Sequence, residues 1–268
     1  MTITEHRVAP ASRLPIAVPV AIGLAWATSL AIHTVGHHHA VDHHALLGHG
    51  GTPSIGAVSV FALAWTVMIT AMMLPSTIPL LRLFTATASS QPRPRLVMAA
   101  FVGSYVALWT VFGVLALGFD GAIHRAVDAW SWLQHRDELV AAGVLGLAGA
   151  FQFSELKDRC LSACRHPAAF LVSHYRRGAP AAFSLGLRHG LLCIGCCWAL
   201  MLVAFATGMT DLRWMAAFTA LMTYEKVGRH GEAVARVAGV VLLAAAVVLA
   251  IGAGWPPTGQ HHDHLAGV

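Results

Sequence analysis

An all-α, polytopic membrane protein is what this sequence predicts, on three observations. Of the 268 residues, 57% are hydrophobic and only 11% are charged, whereas an average soluble domain carries roughly 25% charged residues. The mean hydropathy is +0.66. Apolar stretches approaching the ~20 residues that cross a bilayer recur along the chain. A chain this apolar would need an implausibly large dry core to stay in water, so lipid is its expected solvent. Composition thereby excludes a disordered chain, a secreted disulfide scaffold and an ordinary cytosolic enzyme. The net charge of +5 does not indicate nucleic acid, because the cations fall in the connections between apolar stretches.

Seven spans are expected: Leu14–Val35, Ile55–Leu81, Val97–Gly118, Leu139–Phe153, Gly190–Thr207, Leu212–Tyr224 and Val237–Gly252. The fourth and sixth are short, and the sixth ends in Glu225-Lys226 and reads also as a re-entrant piece; six spans is the alternative count. Orientation follows from the bias of Lys and Arg towards cytoplasmic loops. With the N-terminus inside, fourteen of the 17 Lys and Arg lie on the cytoplasmic side and three, Arg125, Arg136 and Arg213, lie outside. Such a bias supports seven helices, N-terminus in and C-terminus out. The first span carries Arg7 and Arg13 before it, as a signal peptide would. Its apolar stretch is long for an h-region and no small-x-small cleavage site precedes the histidines, so it reads as retained.

No internal repeat, Walker motif, Gly-rich nucleotide loop or Gly-x-Ser-x-Gly elbow is present. Between the third and fourth spans, Phe119–Glu138 places Ile123, Val127 and Trp130 at helical spacing, with Trp132 beside them. Trp favours the membrane interface, so this segment reads as an outer amphipathic helix lying among the headgroups. The chain divides into residues 1–54 (first helix and His-rich outer loop), 55–252 (metal-binding membrane domain) and 253–268 (outer tail).

Histidine is abundant, 17 in all, and clustered. His33, His37, His38, His39, His43, His44 and His49 fall in one stretch, and His261, His262 and His264 in the tail. The expected topology puts both clusters outside. Neutral imidazole is the commonest protein ligand for transition metals, and His33 and His37 are spaced to share a helix face. A solvated low-complexity loop is the simpler alternative; metal capture is the expectation taken forward, for the long cluster above all.

Soft donors lie inside the apolar stretches. His189, Cys193, Cys197 and Met201 are four residues apart each, so they climb one side of a helix over roughly 18 Å, with Cys196 adjacent. Cys160 and Cys164 form C-x3-C at the cytoplasmic end of the fourth span, where a structural disulfide is not expected. Met68, Met72 and Met73 precede Leu74-Pro75-Ser76, where Pro75 removes a backbone donor and should kink the helix. Met215, Met222 and Glu225 lie on the sixth span; an ionisable residue at membrane depth is a functional candidate. Glu225 is a candidate metal-site residue; the plain alternative is a pair with neighbouring Lys226 or Arg229 at the interface. Thiolate, thioether and imidazole together are what Cu(I) prefers. The plain alternative is that Met and Cys here are packing residues.

Four segments together carry a family resemblance: Trp65-x2-Met68-x3-Met72-Met73-Leu74-Pro75-Ser76; Lys157-x2-Cys160-Leu161-x2-Cys164-Arg165-x-Pro167; Gly190-x2-Cys193-x-Gly195-Cys196-Cys197-Trp198-x2-Met201; and Trp214-Met215 followed by Glu225-Lys226. The chain resembles the bacterial family of predicted metal-binding integral membrane proteins, sometimes labelled copper chaperones, over about Ser54 to Gly252. The resemblance implies a multi-span helical protein of the bacterial cytoplasmic membrane with a metal site. The His-rich loop and tail lie outside those motifs.

The expected function is therefore binding and handling of a transition metal, copper above all, as Cu(I), with iron and zinc as the other ions to weigh. Outer histidines collect the ion. Met and Cys of the second, fifth and sixth spans hold or relay it, and Cys160 and Cys164 receive or deliver it inside. The expected partners are the lipid bilayer, the metal ion, and a copper chaperone or copper enzyme. The alternative is a copper- or iron-dependent integral-membrane oxidoreductase acting on a lipophilic substrate; a third reading is an assembly subunit without metal.

Overall fold

The structure, a computed structural model, describes residues 14–34, 54–130, 132, 137–206 and 211–254. They form ten α-helices and no strand: α1 (Ala17–Thr34), α2 (Ile55–Met72), α3 (Leu74–Ala88), α4 (Pro94–Asp128), α5 (Asp137–Phe151), α6 (Glu155–Arg165), α7 (Pro167–His174), α8 (Ala179–Ala206), α9 (Leu212–Val227) and α10 (Gly231–Gly254). Five of these, α1, α2, α4, α8 and α10, are long and apolar enough to cross a membrane. A sixth span results if α5 and α6, bent by 62° at their junction, are counted as one. The remaining expected span, the sixth, is α9, a helix of only 16 residues.

The polypeptide starts helices where short polar side chains can accept orphan backbone N–H groups. Ser54 Oγ accepts from Ala57 N at 3.1 Å, Ser154 Oγ from Lys157 N at 3.2 Å, and Asp211 Oδ1 from Arg213 N at 2.9 Å. The Arg213 side chain also donates to Asp211, which holds that half-buried carboxyl below the usual carboxylate range.

Two boundaries differ from the sequence reading. The segment 55–81 is not one kinked helix but two, broken at Met73. Pro75 has no N–H to give to Ala71 O, and Trp26 Nε1 of α1 donates to that carbonyl instead, at 3.2 Å. Ser76 Oγ and Thr77 Oγ1 donate to Met73 O at 2.8 and 3.1 Å, which fixes the break. In the expected outer connection, α4 runs unbroken to Asp128, so residues 119–128 extend the helix of the third expected span and are not a separate amphipathic one. Gly118 and Gly121 do not stop it, since an isolated glycine costs only about 1 kcal/mol in a helix.

Close packing uses small residues where helices meet. Gly186 of α8 sits against Ser104 and Phe101 of α4, and Gly190 against Leu108. Gly113 of α4 sits against the Trp65 indole of α2, whose Nε1 donates to Trp109 O at 2.8 Å. Gly149 of α5 meets Leu243 of α10, and Gly239 meets Phe153 and Gln152. The α3–α4 turn is tied to the segment entering α8: Gln91 Nε2 donates to Tyr175 Oη (3.0 Å), and Gly178 N donates to Gln91 Oε1 (2.6 Å) from a positive φ of 99° that glycine accommodates.

The core lies between α2, α3, α4, α8 and α9, around Phe61, Trp65, Phe84, Phe101, Tyr105 and Trp109, all essentially inaccessible. Large apolar side chains cover the outer faces: Ile16, Val20 and Leu24 at α1, Val237, Val240, Val241, Val247 and Val248 on α10. In a water-soluble fold such faces would be polar.

Candidate thiol and thioether site

The cysteines converge through one helix contact. α6 lies across α8, and Cys160 packs directly on Gly195, where any side chain would collide with it. Cys164, one turn further along α6, neighbours Cys196. Cys196 in turn reaches Cys193 and Cys197 on its own helix. All five cysteines are free thiols. Cys160 and Cys164 thus meet α8 at Gly195 and Cys196, while Cys193 and Cys197 turn to the other side of α8.

A thioether joins them from the α2–α3 break. The Cys197 Sγ is 3.9 Å from Met73 Sδ, and both residues are buried. The break at Met73 therefore does more than relieve Pro75: it turns the Met73 side chain towards α8. Met68, Met72 and Met201, and Met215 and Met222 of α9, are buried in the surrounding core.

The site holds fixed charge. Lys226 is 6% exposed, and its Nζ donates to Cys193 Sγ at 3.0 Å and to Ser76 Oγ at 3.1 Å, with Cys197 Sγ at 4.0 Å. Tyr105 Oη lies 3.1 Å from the same Cys193 sulfur. Glu225 pairs with neither Lys226 nor Arg229. Its Oε2 accepts from Lys157 Nζ of α6 at 2.7 Å, both side chains being buried. Successive residues of a helix point about 100° apart, so Glu225 turns to α6 while Lys226 turns to α8 and α3. Arg165 fixes the end of α9 by donating to the carbonyls of Glu225 (2.7 Å) and Gly228 (2.9 Å).

The Cys196 and Cys197 thiols both donate to Cys193 O, at 3.1 and 2.8 Å, the back-bonded arrangement of small polar side chains in helices. Among the described residues, no three His, Cys, Asp or Glu stand in the arrangement of a metal site. Ligation by these thiols requires rotation about χ1, away from the carbonyl. The donor set itself, thiols with a thioether in contact, is what suits soft Cu(I).

His189 belongs to the same helix stripe but is enclosed by rings: Tyr105 at 5.6 Å, Phe101 at 6.3 Å and Phe170 at 5.6 Å between centroids. His33 lies exposed at the end of α1. His37, His38, His39, His43, His44 and His49, and the tail histidines His261, His262 and His264, lie outside the described residues. Sequence reasoning missed Tyr105 and Lys157. Tyr105 had a signal, since Phe101, Tyr105 and Trp109 recur every four residues on α4; Lys157 stood in the C-x3-C segment but without a visible partner.

No curated protein and no solved structure matches the chain. One family model does, PpoB2, described as copper chaperone, and it covers residues 62–249, from within α2 to within α10 and so over all five cysteines. By that match the chain belongs to the copper chaperone family.

Proposed function

We propose that this protein holds Cu(I) as cargo within a membrane, at the cysteines of α8 together with Cys164 and Met73. The observation that carries the reading is the meeting of soft donors from three separate elements: Cys193, Cys196 and Cys197 of α8, Cys164 of α6, and Met73 of the α2–α3 break. The copper chaperone family description supports the choice of ion. Five to six helices able to cross a membrane support the setting. The positive-inside bias supports the N-terminus in the cytoplasm and a bacterial cytoplasmic membrane as the location.

Two cysteines that bind Cu(I) give up their protons, and a bis-thiolate complex of a monovalent ion carries one net negative charge. A net charge in a low-dielectric interior is costly unless paired. The Lys226 ammonium, already against Cys193 and Cys197, supplies the counter-charge. Cys160, packed on Gly195, and Cys164 form the cytoplasmic edge of the site, from which the ion passes to an acceptor such as a copper enzyme. His33 and the histidines that follow collect it on the other side; Glu225 acts through its pair with Lys157, which fastens α9 to α6.

The test is copper stoichiometry. Protein purified in mild detergent and loaded with Cu(I) under reducing conditions should retain at least one copper per chain. The triple variant Cys193→Ser, Cys196→Ser, Cys197→Ser should lose it.

A further inference from the structure

A second site lies outside the thiol cluster, on the same end of the molecule. An open cleft of about 760 Å³ is walled by α6, α7 and the first half of α8. Arg159 and Arg188 stand on opposite walls, and His166 and His174 lie at either end of α7. No carboxylate lines it. Arg159 pairs with Glu155 along exposed helix surface at 3.0 Å, where such a pair is worth little. Among the described residues Arg188 has no carboxylate partner.

Each histidine ring is tethered through its Nδ1. His166 Nδ1 is bonded to Ser162 O at 2.8 Å and His174 Nδ1 to Phe170 O at 3.0 Å. A backbone carbonyl can only accept, so the His166 Nδ1 carries the proton; the His174 Nδ1 also lies 2.8 Å from Ser173 Oγ. Arginine forks match phosphate oxygens in pairs.

The floor of the cleft is apolar: Phe170, Leu191 and Leu192. The Gly190–Ala206 portion of α8 carries no charged residue, and Arg188 stands two positions before it begins. Leu191 and Leu192 are its first turn. The cleft therefore joins cationic and apolar surface at the level where the long apolar helix meets its charged end. A free phosphate has no use for the apolar floor, whereas a phospholipid fits both parts.

We propose that this cleft binds an anionic phospholipid, its phosphate between Arg159 and Arg188 and an acyl chain along Phe170, Leu191 and Leu192. The inference rests on the membrane setting proposed above and not on copper. α6 carries Cys160 and Cys164 on one face and Arg159 on the cleft, so an occupied cleft braces the helix that closes the thiol site.

Native mass spectrometry of the full-length protein in mild detergent tests this, with dioleoylphosphatidylglycerol and dioleoylphosphatidylcholine titrated in parallel. The wild type should prefer the anionic lipid about tenfold, since two surface cations each favour it. The variant Arg159→Gln/Arg188→Gln should show no preference, and each single variant an intermediate one. Both arginines are exposed, and an unchanged melting temperature confirms an intact fold. Equal retention of the two lipids by the wild type, or an undiminished preference in the double variant, overturns the proposal. Displacement of the anionic lipid by inorganic phosphate alone overturns it in favour of a free-phosphate site. Retention of neither lipid counts against the membrane setting itself, which separates that failure from a failure of this site.

Discussion

Lys226 Nζ lies 3.0 Å from Cys193 Sγ, with both residues buried. A buried ammonium against a sulfur is a costly arrangement unless charge is to appear there. If it compensates a copper-bis-thiolate, Lys226→Met should weaken Cu(I) affinity. A hydrogen bond to a charged group is worth about 1.5–3 kcal/mol, or about 10- to 100-fold in affinity. Competition against a Cu(I) chelator measures it. Tighter binding by the variant would mean that Lys226 obstructs the site and does not serve it.

The Lys157–Glu225 pair, 2.7 Å apart and inaccessible, makes a double-mutant prediction. Glu225→Gln alone strands the lysine and should destabilise by about 3–5 kcal/mol. Lys157→Met together with Glu225→Leu should recover most of that loss, because well-packed apolar groups often replace a buried pair without cost. Melting temperatures of the single and double variants in one detergent check it. A double variant as unstable as the worse single would show that the charges are needed as charges.

Gln152 predicts a gain. It is 1% exposed, and among the described residues neither Nε2 nor Oε1 has a partner. An unsatisfied buried amide costs about 1–3 kcal/mol. Gln152→Leu, similar in volume and packed on Gly239 of α10, should raise the melting temperature by a few degrees. A lower one would reveal that the amide holds a bound group.

The topology predicts an accessibility result. A cysteine introduced at His49 should react with an impermeant maleimide on intact cells, and the five native cysteines, three of them buried in α8, should not. Labelling only after lysis would reverse the orientation and remove the argument for outer metal capture.

The helical class and the long apolar helices were legible because periodicity and composition are local properties. Each expected span is helical in the structure, although the second is two helices broken at Met73, α9 has 16 residues, and α5–α6 bends by 62°. The bend at Ser154 was not legible: Ser154 is both the end of one apolar run and a good N-cap, and only packing of α6 on α8 decides between continuing and turning. The Met73 break was half legible. Pro75 announced a disturbance, but the carbonyl it strands is capped by Trp26, 45 residues away along the chain. In the site, the α8 triplet was readable from spacing alone, and so were Cys160 and Cys164 as a pair. That the two sets meet depends on Gly195 admitting Cys160, a contact between helices. For Glu225, spacing offered only neighbouring Lys226 and Arg229 as partners; its partner lies 68 residues upstream.

The measurement that bears most directly on the central claim is copper per chain, by mass spectrometry, in wild type and in the Cys193→Ser, Cys196→Ser, Cys197→Ser variant, both loaded with Cu(I) under reducing conditions. The account predicts one or more copper per chain in the wild type and a loss of that copper in a variant that remains folded. Unchanged stoichiometry in the variant, or no copper in the folded wild type, would contradict it and leave the cysteines as packing residues of the α6–α8 contact.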